Sequence, residues 1–184
     1  MYLYWFERIA RAASGNPNFA LPYWDYSVAG NRIVPEAFRN PASPLYVANR
    51  NAEVNAGTPP SANPASFSAT TALSRTSFYS TDGTSFGGGD TRAGSLETTP
   101  HNFIHTWVGG DMARVPTAAL DPLFWVHHAN IDRLWEVWLR QGGGRANPTN
   151  VALFMNTPFT FYDEQGAAVQ MTGAQILDTI QQLG

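Results

Sequence analysis

The 184-residue sequence has no cysteine, and each of its 11 basic residues is an arginine. Without cysteine there are no disulfides, no thiolate metal ligands and no cysteine nucleophile, and the redox compartment is left open. The arginines are scattered from Arg8 to Arg145 without a run, so there is neither a phosphate-tracking stripe nor a polybasic membrane anchor. With 14 acidic residues the net charge is -3, which argues against nucleic acid as a partner. No apolar run approaches the roughly 18 residues of a membrane span. The opening Met1 to Arg8 lacks the charged-then-apolar order of a signal peptide. The chain therefore reads as soluble, with no membrane partner, an open compartment and an open oligomeric state. Its length fits one domain.

Apolar residues at three- and four-residue spacing (Leu3, Phe6, Ile9, Ala10) predict a helix over the first fourteen residues. Phe19 to Tyr26, broken by Pro22, reads as an extended aromatic connector. Residues 40 to 100 are rich in Pro, Gly, Ser, Thr, Ala and Asn, too long for an ordinary loop. They read as a surface-lying excursion with one helical turn near residues 70 to 78. Thr99 and Pro100 offer a capping hydroxyl and a first-turn proline for a helix from His101 to Val108, stopped by Gly109 and Gly110. Asp121 and Pro122 repeat that start for a longer helix, Leu123 to Arg140. Phe159 to Tyr162, a turn over 163 to 166, and Ala167 to Met171 predict a small hairpin. Thr172 then caps a final helix, Ala174 to Gln182.

All four histidines, His101, His105, His127 and His128, fall in the two helices that share this start signal. His101 and His105, four apart, lie on one helix face with Cβ atoms roughly 5 to 6 Å apart, a spacing that suits two ligands of one metal and equally two hydrogen-bonded core histidines. Adjacent residues on a helix point about 100° apart, so at most one of His127 and His128 is expected to join them. His128 shares a strip with Phe124, Asp132 and Trp135, and Asp132 could orient its imidazole or bind a neighbouring basic group. His127 lies in a more apolar lane that favours packing. Three imidazoles without thiolate or carboxylate suit copper, zinc, iron or nickel, and spacing does not separate these metals.

The run from His101 to Gly110, followed by Asp121 to Trp135, resembles the copper B half of tyrosinases and polyphenol oxidases, the type 3 copper proteins. Tyr2 to Glu7 and Leu21 to Asp25 are similar to family segments that follow the last copper A histidine, and Leu183 and Gly184 resemble the end of the family core. The resemblance implies a mainly α fold, part of the type 3 copper four-helix-bundle core, with long loops and a small C-terminal β-hairpin. It implies that His101, His105 and His128 bind copper B, one of two copper ions in the complete enzyme. The family's chemistry is the oxidation of phenols and o-diphenols to o-quinones with dioxygen, on two coppers about 3.5 to 4 Å apart.

No copper A histidine is present, so the chain is expected to be a single tyrosinase-like domain truncated at its N-terminus and slightly at its C-terminus, supplying copper B only and inactive by itself. Glu97 and Asn102 match family positions proposed to hold a water that deprotonates the phenol. A phenol of pKa near 10 needs such a base at neutral pH. Alternatively, Glu97 only favours the helix start and Asn102 is merely exposed. Thr106 and Val115 correspond to the substrate entrance, where small side chains imply an open mouth. The alternatives are a diphenol-only catechol oxidase, haemocyanin-like oxygen binding, or an inactive fragment with a mononuclear three-histidine site.

Overall fold

The computed structural model describes residues 1 to 178, and their chain folds into two compact units: residues 1 to 21 with 146 onward, and residues 22 to 145.

In the first unit, helix α1 (Tyr2–Ser14) ends where Gly15 takes φ 65°, as the Ser-Gly-Asn-Pro sequence predicts. It buries no residue completely and is held by charge. The Arg8 guanidinium gives two hydrogen bonds to Glu164 Oε1 (3.0 and 2.7 Å), and Arg11 donates to the Phe19 carbonyl (2.7 Å). Strands β1 (Pro158–Tyr162) and β2 (Ala168–Thr172) pair antiparallel, with Phe161 opposite Val169. Phe161 and Met171 are the buried residues of their strands. Asp163 closes the turn by accepting the Gln165 and Ala167 amides. Thr172 and Gln175 form a capping box for a helix over Gly173–Leu177. The rest of the expected Ala174 to Gln182 helix, and Leu183 and Gly184, lie outside the described residues.

The second unit carries His105 on helix α2 (Phe103–Val108), His127 and His128 on helix α3 (Leu123–Arg140), and His101 in the turn that leads into α2. The α3 start is the one expected, with Asp121 Oδ1 accepting the Leu123 amide at 2.8 Å. The α2 start differs. Residues Glu97–Asn102 form an irregular π-type turn, Thr99 has extended backbone (φ -148°, ψ 121°), and no side chain caps it.

Helix α3 connects two apolar clusters. Its first half gives Leu123 and Val126 to a cluster with Trp24, Tyr26, Phe67, Ile104 and Trp107. Its second half gives Leu134 and Trp138 to another with Ala72, Phe86 and Leu96. The 40-to-100 excursion is therefore not surface-lying, because it supplies Val54 and Phe67 to the first cluster and Ala72 and Phe86 to the second. It can enter the core because short helices over Ala52–Ala56, Pro64–Phe67 and Thr70–Ser74, and bonds such as Phe86 N–H to Ser77 O (2.9 Å), satisfy its backbone.

Trp138 is fully buried, stacks on Phe86 (4.6 Å, 14°) and donates its indole N–H to the Arg75 carbonyl at 2.6 Å. Trp138→Ala should cost about 3 to 5 kcal/mol in denaturant unfolding, with Trp138→Phe clearly milder. A loss below about 1 kcal/mol in the alanine variant would mean that this ring does not fix the second cluster.

Candidate metal centre

His101 sits in the irregular turn before α2, His105 within α2, and His127 and His128 five and six residues into α3. Three of their Nδ1 atoms face a carbonyl or amide oxygen: His105 the Met112 carbonyl (2.7 Å), His128 the Phe124 carbonyl (2.8 Å) and His101 the Asn102 side-chain oxygen (3.0 Å). A carbonyl only accepts, so Nδ1 carries the proton in each neutral ring and Nε2 carries the lone pair. Those lone pairs converge, His128 Nε2 lying 3.0 Å from His101 Nε2 and 3.4 Å from His105 Nε2. Three nitrogens about 2.0 Å from one ion in a tetrahedral arrangement are spaced by about 3.3 Å. The donor set thus fits a transition metal by spacing, softness and tautomer. Without a cation among them, the lone pairs repel.

Asp132 takes no part in orienting His128, whose Nδ1 is held instead by the backbone one turn earlier. The Phe124 ring packs on the His128 imidazole with centroids 3.9 Å apart. His127 is closer to the group than the helical-lane argument expected: the nearest ligand atoms of all four histidines lie within 4.8 Å of one another. Its ring stacks on His101 (5.3 Å, 20°). The border between the two lanes of α3 faces His101, so adjacent rings flank it. His127 is fully buried, its Nδ1 lies 3.1 Å from the Tyr26 hydroxyl, and its Nε2 makes no hydrogen bond. Tyr26 lies 101 residues away in sequence, and no local pattern announces that pairing.

Burial is the main cause that lowers all four imidazole pKa values, to about 3 for His128 and well below the usual 6.5 for His127. Neutral rings at neutral pH are the form that binds metal.

Glu97 is exposed at the first position of the irregular turn, and Asn102 is exposed at its end with its Oδ1 engaged by His101. The Thr106 hydroxyl turns back to the Phe103 carbonyl (2.9 Å), and Val115 is 97% exposed. Two clefts in the unit border none of the histidines: one of about 430 Å³ lined by Tyr23, Trp24, Asp25 and Phe38 among others, and a hydroxyl-rich one of about 650 Å³ that includes Thr98 and Thr99. No described helix is long and apolar enough to cross a membrane.

A family profile described as the common central domain of tyrosinase matches residues 1–59 and 30–141, and one for the polyphenol oxidase middle domain matches 152–184. Tyrosinase HcTyr1 of Hahella sp. is 36% identical over all of this chain and 44% of its own length. Polyphenol oxidase II of Ipomoea batatas is 34% identical over all of this chain and 36% of its own length. The crystal structure of Grenache (Vitis vinifera) polyphenol oxidase superimposes with TM-score 0.80 at 30% identity, covering 98% of this chain and 61% of that one. The chain spans less than half the length of these two curated relatives.

The lowered imidazole values set a sign for stability. Below about pH 6.5 the unfolded chain binds protons that the folded histidines refuse, so their contribution is whole above 6.5 and lost as pH falls toward about 3. The melting temperature of the metal-free protein should be flat above about pH 7 and fall below it, with a shallower fall in His128→Asn. A profile unchanged by that substitution would contradict the assignment of the slope to this cluster.

Proposed function

The chain belongs to the tyrosinase family, and from that premise we propose that it supplies the copper B part of an enzyme that oxidises phenols and o-diphenols to o-quinones with dioxygen. His101, His105 and His128 hold one copper ion through Nε2. The observation that carries this reading is the convergence of three lone pairs at 3.0 and 3.4 Å, each ring fixed from behind by an oxygen. Copper held there supplies dioxygen binding and electron transfer.

The chain's own residues handle protons and access. Asn102 uses its side-chain oxygen on His101, leaving its amide N–H groups free to share a water with the Glu97 carboxylate. That water takes the phenol's proton, the step that a phenol of pKa near 10 requires at neutral pH. Thr106 and Val115, both exposed and small, leave the approach open to substituted rings. The Phe124 ring holds the His128 imidazole in place. His127, tied to Tyr26, supports the group and is not a ligand.

The relatives named for tyrosinase and polyphenol oxidase activity are more than twice as long as this chain, and the chain's fourth histidine cannot complete a second three-histidine set. The 184-residue chain alone therefore binds one copper and does not turn over phenols; a diphenol-only oxidase or an oxygen carrier would use the same three histidines.

Copper stoichiometry, with oxygen uptake on a monophenol and a catechol, tests this reading. One copper per chain without quinone is expected, with binding abolished in His128→Ala and retained in His127→Ala. Quinone from the pure copper-loaded chain, or loss of copper in His127→Ala but not in His128→Ala, would overturn it.

A further inference from the structure

Residues 50 and 51 reach both histidine helices at once. Arg50 has no exposed side-chain surface and binds Asp121 in a two-pronged ion pair, Nε to Oδ2 and Nη2 to Oδ1, both 2.7 Å. Two further N–H groups go to the Phe38 (2.5 Å) and Leu45 (3.1 Å) carbonyls. Asp121 in turn caps α3, so the guanidinium anchors the end of α3 nearest His128. Asn51 (φ -54°, ψ 140°) sends its side chain to a different partner from its neighbour's. It meets the far end of α2. Its amide nitrogen Nδ2 donates to the Trp107 carbonyl at 2.8 Å and its backbone N–H to the Val108 carbonyl at 2.8 Å. These are two of the orphan carbonyls that end every helix. Glu53 adds a bond from the Trp107 indole (2.6 Å), and Asn49 one to Asp111 (2.9 Å).

We infer that the Arg50–Asn51 pair is a positioning element that sets the separation of α2 and α3, and through it the spacing of His105 and His128. The inference rests on the reading that these histidines hold copper. A shift of α2 along or around its axis changes the 3.4 Å between their Nε2 atoms directly, and no other described side chain bonds the last carbonyls of α2. Arg50 is a poor first target, because its removal strands a buried carboxylate and threatens folding. Asn51 is the better one: Asn51→Ala removes the side-chain bonds, and Asn51→Asp keeps the volume but cannot donate.

The test loads the chain with copper(II) alone and reads its dissociation constant and electron paramagnetic resonance spectrum. Val54→Ala, in the same core cluster, serves as a control for general destabilisation. Both Asn51 variants should weaken copper by about 10- to 100-fold, the usual effect of removing a support behind metal ligands, and alter the copper hyperfine splitting. Val54→Ala should leave both unchanged at an equal or larger loss of melting temperature. Equal weakening in Val54→Ala, or unaltered copper parameters in Asn51→Asp, overturns the clamp. If the unaltered chain takes up no copper, the reading of the metal centre falls. The clamp is then decided on copper-free protein by the imidazole nitrogen shifts of His105 and His128, which must move in the Asn51 variants and not in Val54→Ala.

Discussion

Three imidazole lone pairs directed at one point are the constraint to which the rest of the larger unit answers. Each ring is neutral because it is buried, and its tautomer is set because an oxygen stands behind it. For His105 that oxygen is the Met112 carbonyl, and the chain must reverse after α2 to bring it back. Gly109 (φ 75°, ψ -162°) and Gly110 (φ 55°) make the reversal. A Cβ at Gly109 would also fall 2.6 Å from the Asn51 side-chain oxygen, so a backbone requirement and a packing requirement coincide there.

The same helix that carries His128 joins both apolar clusters, so this ligand is mounted on an element packed along its length. Three polar contacts around it are long-range in sequence: Tyr26 to His127, Arg50 to Asp121, Trp107 to Glu53. Each ties a part of the long connectors to a helix bearing a histidine or to the start of one. Long connectors in this unit are thus the parts that hold the helices at a fixed distance.

Much of this was legible in the sequence where the signal is local. The Asp121-Pro122 start and the glycine stops located α2 and α3, four-residue spacing paired His101 with His105, and alternation with an Asp-centred turn gave the hairpin. What was not legible depends on which face of an element meets another. In an isolated helix the two lanes of α3 set His127 apart, whereas the packing of α3 turns the border between them toward His101. Asp132 shares a helix strip with His128, but the Phe124 carbonyl one turn earlier on the same helix takes the hydrogen bond of its Nδ1. The excursion over residues 40 to 100 looked superficial because its apolar residues follow no period. Irregular spacing fits a chain that bends at each short helix, and the buried Phe67 and Phe86 come from it.

The arginine-only inventory of cations has a chemical consequence under the proposed activity. An o-quinone is an electrophile that is attacked by thiolates and by unprotonated primary amines, the side-chain nucleophiles of cysteine and lysine. This chain has neither; its positive charges reside on guanidinium groups that stay protonated, several of them already occupied by carboxylates and carbonyls. A surface built this way offers a reactive product almost nothing to arylate. This part of the proposed enzyme would meet the o-quinone without becoming cross-linked to it through lysine or cysteine.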